Sequence, residues 1–500
     1  MPENGEHMSY ILALDQGTSS SRALLFDSET AVVGVDQKEF AQHYPQPGWV
    51  EHDPEEIWNT QLEVANKVLR EHNVEAGRVK AVGITNQRET TVMWERSTGK
   101  PVFNALVWQD RRTSSICNSW KSRWGEEITA KTGLVVDAYF SASKIAWLLD
   151  NVEGLRAKAE AGEIAFGTID TWLIWKLTEG KKHVTDSSNA SRTMLFNIDT
   201  LKWDEELLEK FNIPASILPE VVDSSGVVGE TTLFGGSIPI AGIAGDQQSA
   251  LFGQRCFEAG LSKNTYGTGC FMLLNTGLKR QKSENQLLST VAWTIDGETH
   301  YALEGSVFIG GAAVGWLRDG LGIINSSSEV ESLAKSVPDN GGVYFVPAFN
   351  GLGTPHWDQD ARGLIVGLTR GSNRGHIARA TLEAIAFQVA DLMEAMKKDS
   401  GLALKELRVD GGAAANNLLL QIQSDLLQAD VVRPKNTETT AAGAALLAGL
   451  AVGFYPSLES LSKAAEPDRV FSPEKTPQEI SEHTAEWNRA VERCKGWAKS

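Results

Sequence analysis

The stretch "ALDQGTSSSR", residues 13 to 22, gathers an acid, a glycine, four hydroxyl side chains and an arginine. Together these could hold a metal-bound phosphate. Gly17 lets backbone approach an anion closely. Turn N–H groups and hydroxyls can form an anion nest, and Arg22 adds a fixed positive fork. Asp15 would repel a bare phosphate, so it fits only with a cation between them. Mg²⁺ is usually held by one or two carboxylates plus phosphates and waters. A plain hairpin turn would use the same residue types, so this stretch alone leaves both readings open.

A second set of residues repeats the design. "LSKNTYGTGCFMLLNT" (261 to 276) runs from a polar strand through a glycine turn into an apolar strand, with Thr268 at the tip. "IPIAGIAGDQQSALFG" (238 to 253) is an apolar run ending in Gly245, Asp246 and Gln247. That is a strand-to-helix corner from which Asp246 could project into a cleft. "DGGAAANN" (410 to 417) places two glycines between a strand and a helix start, where a nucleotide could be accepted. Neither the Gly-x-Gly-x-x-Gly fingerprint nor a Walker loop occurs, so ATP binding would need a third architecture.

These residues must be carried by an α/β framework. Tyr10–Leu14 and Ala23–Phe26 read as the arms of a hairpin, and "VKAVGITNQRE" (79 to 89) as a strand with a polar end. Two Gly-Thr hairpins suggest two related domains facing one cleft, although two such turns could also be coincidence. In the last third, apolar residues at helical spacing predict a helix over "NRGHIARATLEAIAFQVADLMEAMKKDSG", stopped by Gly401. A strand, a helix, a strand and the helix "TAAGAALLAGLAVG" follow. The tail predicts an amphipathic helix burying Ile480, Trp487, Val491 and Cys494 on one side.

Five hundred residues exceed one ordinary core and imply two large domains. The net charge of −17 argues against a nucleic-acid partner. No apolar run is long enough for membrane insertion, and "MPENGEHMSY" is too polar for a secretory leader. Four cysteines without paired spacing fit a reducing cytoplasm. The nine histidines show no metal or triad pattern and read as surface or packing residues.

"ALDQGTSSSR", "NQRET", "VWQDRR", "GDQQSALFGQ", "YGTGCF" and "RVDGGAAANN" together resemble the FGGY carbohydrate kinase family, within the wider actin/hexokinase/Hsp70-like ATPase class. The resemblance runs from about residue 9 to 456. It implies two ribonuclease-H-like domains, mixed sheets flanked by helices, with an interdomain active-site cleft. The expected limits are 9–255 and 256–456, with 457–500 as a helical tail packed on the core. "NQRET" and "VWQDRR" resemble the members that phosphorylate glycerol. The implied reaction is ATP plus glycerol giving ADP and sn-glycerol 3-phosphate; the alternative is another polyol or ketose kinase, and a non-catalytic ATPase would need neither "NQRE" nor "GDQQ".

By the family pattern, Thr18, Ser19, Ser20 and Arg22 face the nucleotide phosphates, and Thr268, Gly311, Gly412 and Asn416 also contact ATP. Asp15 and Asp246 stand near Mg²⁺. Arg88, Glu89, Tyr139, Asp246 and Gln247 contact glycerol hydroxyls, with Trp108 and Phe271 lining its carbon skeleton. Asp246 is the expected general base. Arg88 beside Glu89 offers donors and acceptors suited to a vicinal diol, although an ordinary ion-paired strand end would look the same. Gly315 stands where many members have Gln. A homo-oligomer, dimer or tetramer, is the expected assembly.

Overall fold

The computed structural model describes residues 8–464 and 466–498. Residues 1–7, most of the stretch read as lacking a leader, lie outside them. The strands of the main sheet, in chain order, are β1 (Tyr10–Gln16), β2 (Ser20–Phe26), β3 (Val32–Glu39), β4 (Val79–Asn86), β5 (Ser225–Thr231) and β6 (Ile238–Gly245) from the first half. The second half adds β7 (Leu261–Tyr266), β8 (Cys270–Gly277), β9 (Leu288–Ile295), β10 (Glu298–Val307), β11 (Glu406–Asp410), β12 (Asp430–Pro434) and β13 (Pro467–Phe471). Their order is β13-β12-β11-β7-β8-β10-β9-β5-β6-β4-β1-β2-β3.

The two halves share one plan. β1, β2 and β3 form an antiparallel meander; β1 then pairs in parallel with β4, and β4 with β6. β7, β8 and β10 form the second meander; β7 pairs in parallel with β11, and β11 with β12. The halves join through one parallel bridge, Ser225 to Ile295. The repeated hairpin is therefore the local trace of a repeated sheet. Its physical basis is that parallel neighbours, buried on both faces, need continuous apolar runs such as "ILAL" and "GIAG".

The helices that bear on the site are α1 (Pro54–Glu71), α2 (Ser141–Asn151), α3 (Asp246–Gly253), α4 (Gly311–Asp319), α5 (Arg374–Ser400), α6 (Asn417–Leu427), α7 (Thr439–Ala451) and α8 (Pro477–Cys494). α5 ends at Gly401 in the left-handed conformation (φ 67°), as its sequence predicts. α8 buries Ile480, Trp487, Val491 and Cys494, the expected stripe. The tail is not helical throughout, since β13 adds a strand to the sheet edge beside β12. Among the described residues no helix is long and apolar enough to cross a membrane.

α7 belongs to the second half in sequence but lies on the first half's sheet. A Cβ on Gly83 of β4 would meet Ala444 O at 2.2 Å, and one on Gly242 of β6 would meet Ala448 N at 2.4 Å. Helix backbone thus rests directly on strand backbone. Ser225 Oγ donates to Leu447 O at 2.8 Å and Ser249 Oγ to Thr440 O at 2.7 Å, fixing the helix along its length. Residues of α7 share one buried cluster with Ile11 and Ala13 of β1 and Leu273 of β8, so the core is continuous across the halves.

Candidate active site

Both hairpin turns are tight. Gly17 N donates to Ser20 O at 2.9 Å, and Gly267 N donates to Gly269 O at 2.8 Å. The strands extend further into the motif than the apolar runs suggest: Asp15 pairs with Arg22, and Gln16 with Ser21, inside the ladder. Only Gly17 to Ser19 remain as the turn. Ser19 is exposed and Thr18 half-buried, whereas Ser20 is buried and its Oγ accepts from Gln37 Nε2 at 3.1 Å. Thr18 Oγ1 accepts from Trp108 Nε1 at 3.0 Å, so Trp108 reaches the first turn as well as Tyr139, which it meets edge-on at 5.5 Å.

The second turn is stitched to a helix start. Gly310 N donates to Thr268 O at 2.9 Å, Gly311 N to Gly267 O at 2.8 Å and Ala312 N to Thr268 O at 3.1 Å. A Cβ on Gly269 would meet Val307 O at 2.4 Å, so only glycine permits this approach. Thr268 itself is exposed. Gly412 is exposed, and a Cβ there would meet nothing within 4 Å. Asn416 caps α6, its side-chain oxygen accepting from Leu419 N at 2.9 Å, which leaves the amide NH₂ free. Gly315, on α4, also faces open space. Phe271, half-buried, pairs with Thr265 and Ser306 in the ladder next to the turn.

β4 and β6 are parallel neighbours, and Gly245 pairs with Asn86 at their ends. This register brings "NQRE" beside "GDQQ". Arg88 Nε stands 3.2 Å from Asp246 Oδ1, with side chains 2% and 32% exposed respectively. Asp246 is thus open on one side, although burial still pushes its pKa above the usual carboxylate range; Arg88 and Lys263 hold it back. Glu89 has φ 62°, a left-handed conformation that costs a non-glycine residue free energy. Ser141 Oγ, at the start of α2, donates to its carbonyl at 3.0 Å and holds it there.

Arg88 is almost fully committed. Nη1 donates to Glu304 Oε2 at 2.6 Å and to Gln248 Oε1 at 3.1 Å; Nη2 donates to Glu304 Oε1 at 2.9 Å. Its longest bond, 3.4 Å, runs from Nη2 to the Tyr139 hydroxyl. Glu89 Oε1 accepts from Arg192 Nε at 2.7 Å. Arg192 also donates to Glu304 Oε1 at 3.1 Å. Lys263 Nζ reaches Gln247 Oε1 and donates to Thr265 Oγ1 at 3.0 Å. The buried cations Arg88, Arg192 and Lys263 are thus set among the carboxylates Glu89, Asp246, Glu304 and Asp410, which offset the cost of burying them. Glu304 sits at a pKa of about 2; burial opposes this, but Arg192 and Arg88 outweigh it.

Glu304, Arg192 and Lys263 escaped sequence reasoning. Their only local signal is a lone charge within an otherwise buried run, as in "YALEGSV" and "NASRTMLF". Gln87 was also missed: its Nε2 donates to Gly17 O at 3.1 Å and to Gln16 Oε1 at 3.0 Å, bracing the first turn. His52, 3.5 Å from Gln87, is a packing residue against Phe40, and burial lowers its pKa to about 4.

Around Asp15 the charge is mainly negative. Arg22 Nη1 lies 3.4 Å from Asp15 Oδ2, and Arg22 Nη2 pairs with Glu438 at the start of α7. Burial raises the Asp15 pKa to about 6; Arg22 opposes this, and the charges of Asp246 and Glu438 add to it. Two carboxylates that sense each other's charge, with one arginine shared elsewhere, suit a divalent cation. Among the described residues no group of three or more His, Cys, Asp or Glu forms a closed metal cage. That donor set matches Mg²⁺, which takes its remaining ligands from phosphates and water. A cavity of about 660 Å³ opens elsewhere between the halves, lined by Lys121, Arg280, Lys282 and Trp357, and holds none of these site residues.

Two sheets of one plan, a glycine hairpin in each, and a carboxylate at a helix start between them define a two-domain kinase architecture. The chain matches the FGGY family of carbohydrate kinases, its N-terminal domain over residues 10–253 and its C-terminal domain over 262–452. It belongs to that family. It is 61% identical over 492 residues to a glycerol kinase of Carboxydothermus hydrogenoformans, covering 98% of each chain. It is 58% identical to glycerol kinase 2 of Thermotoga maritima, covering 98% of this chain and all of that one. The crystal structure of Plasmodium falciparum glycerol kinase with ADP superposes with a TM-score of 0.93 at 39% identity, covering 97% of this chain and 98% of that one.

Proposed function

We propose that this chain transfers the γ-phosphoryl group of ATP to glycerol, giving sn-glycerol 3-phosphate and ADP. The observation that carries the reading is the Arg88–Glu89–Asp246 constellation, in which the ends of the parallel neighbours β4 and β6 bring Arg88 Nε to 3.8 Å from Glu89 and 3.2 Å from Asp246. The names and near-full-length identity of the relatives support the same substrate.

Asp246 accepts the proton of the attacking hydroxyl as the bond to phosphorus forms, and orients that oxygen beforehand. Its raised pKa makes it a better proton acceptor than an exposed carboxylate. Glu89 keeps Oε1 on Arg192, and its other oxygen is available to a substrate hydroxyl. A hydroxyl that displaces the 3.4 Å bond between Arg88 and Tyr139 gains a charged donor at little cost. Trp108 and Phe271 offer apolar walls to the C–H face. An analogue lacking one hydroxyl leaves a buried group unpaired, which is how a small polyol can be selected.

On the nucleotide side, Thr18 and Ser19 face the phosphates from the first turn, with Ser20 and Arg22 just behind it at the start of β2. Thr268, Gly311, Gly412 and Asn416 face the nucleotide from the second half. Asp15 and Asp246 would hold Mg²⁺, which neutralises phosphate charge when bound. The proposed setting is the cytoplasm, where ATP is plentiful; all four cysteines are free and buried, as a reducing compartment allows.

A coupled assay of ADP release with glycerol, dihydroxyacetone, xylulose and no acceptor tests the reading. The highest kcat/KM should fall on glycerol. A preference for xylulose, or equal ADP release without an acceptor, would overturn it.

A further inference from the structure

Lys263 lies on β7, in the second half, and is fully buried. Its side chain crosses to Gln247, the second residue of α3 in the first half. A lysine in this position demands an explanation, because burying an ammonium costs several kcal/mol unless it is paired. The negative charges of Asp410 and Asp246, and after them Glu304, oppose that cost, while the charge of Arg88 adds to it. Its hydrogen-bond partners, Gln247 Oε1 and Thr265 Oγ1, are both acceptors.

We propose that Lys263 is a positioning residue that fixes the polarity of Gln247, and so helps determine which acceptor the site takes. An ammonium has three donors and no acceptor. It can therefore bond only the carbonyl oxygen of the Gln247 amide, and this settles which end of the amide faces which way. The NH₂ group is left pointing away from Lys263 as a pure donor. Asp246 and Glu89, both carboxylates, are acceptors. The site thus presents acceptors to hydroxyl hydrogens and one oriented donor, from Gln247, to a hydroxyl lone pair. Were Gln247 free to flip, it would present an oxygen for part of the time, next to two carboxylates that already supply that function. The inference rests on the proposed acceptor site and deepens it.

The test compares steady-state constants of the full-length enzyme and its variants. Lys263→Met removes the charge while keeping most of the volume. It should raise the KM for glycerol by about tenfold, the order of the net worth of one hydrogen bond, with the KM for ATP changed less than kinetic error. Lys263→Arg keeps a donor-only group and should recover most of the loss. Gln247→Ala should match Lys263→Met, and the double variant should be no worse than Gln247→Ala alone, since one residue acts through the other.

Gln247→Glu serves even if Lys263→Met fails to fold. It preserves the oxygen facing Lys263 and replaces only the NH₂, so glycerol KM should rise while ATP KM holds. An unchanged glycerol KM in Lys263→Met or Gln247→Glu, multiplying losses in the double variant, or an equal loss of ATP affinity would each overturn the inference. Wild-type enzyme inactive on glycerol would overturn the parent reading as well, whereas an active wild type with indifferent variants overturns this inference alone.

Discussion

Asp246 sits at a helix start, beside one arginine and open to one side. If it is the general base, Asp246→Asn should lower kcat by at least ~10²-fold, the scale of a positioned proton acceptor. Glycerol affinity should fall less, because the amide keeps one oxygen. Near wild-type turnover in that variant would remove Asp246 from the role.

A second residue-scale expectation concerns a carboxylate away from the site. Asp170 is fully buried and accepts from Thr168 Oγ1 at 2.5 Å and Thr185 Oγ1 at 2.7 Å. Burial, and then the charge of Asp186, raises its pKa to about 7. The unfolded group titrates near ~3.9, so the folded chain binds the extra proton between these limits. Its favourable contribution is thus complete at acid pH and is lost as pH rises from about 4 to about 7. Asp170→Asn abolishes that dependence. Its melting temperature relative to wild type should be higher at pH 8 than at pH 5 by scanning calorimetry; an equal offset at both would contradict the assignment.

At the scale of elements, the two hairpins and α7 decide the geometry. α7 lies so close to α3 that a Cβ on Gly443 would meet Ser249 O at 1.8 Å, and one on Gly253 would meet Thr439 O at 1.9 Å. Gly443→Ala should therefore destabilise the chain by about 1–3 kcal/mol through overpacking, despite alanine's better helix propensity. Gly315→Ala, on α4 where a Cβ meets nothing within 4 Å, should instead stabilise by about 0.5–1 kcal/mol. Urea denaturation of both variants checks the contrast, and shifts of the same sign would refute it. The alternation behind these elements was legible because apolar periodicity is local. The position of α7 was not: "TAAGAALLAGLAVG" reads as a buried helix, but nothing in it tells which of two similar sheets will bury it.

For the whole molecule, the meeting of two halves is what a kinase needs to keep water from ATP. Several of the bonds at the site cross between them: Arg88 to Glu304, Lys263 to Gln247 and Arg22 to Glu438. Among the described residues the ladder of the main sheet joins the two halves through a single bridge, Ser225 to Ile295. Small-angle scattering with glycerol and a non-hydrolysable ATP analogue should therefore give a smaller radius of gyration than the free chain. An unchanged profile would count against closure as the means of excluding water.

Sequence by itself determined the matters governed by near neighbours. Those are the two glycine hairpins, the strand-to-helix corner at Asp246, the stop of α5 at Gly401, and the buried stripe of α8. Turn chemistry and helix ends depend on residues a few positions apart, so their motifs can be read directly. The tertiary structure alone decided the charge network. Arg88 and Glu304 are 216 positions apart, and Arg192 and Glu89 are 103 apart. Local pattern marks Glu304 and Arg192 as isolated charges in buried runs and shows Arg88 only beside Glu89, so it cannot name the distant partners. Only the register of β4 against β6, and the arrival of β7 and β10 from the other half, bring opposite charges close enough for burial to be tolerated. The same arrival commits the donors of Arg88 to Glu304 and Gln248 and hands Gln247 its neighbour, Lys263.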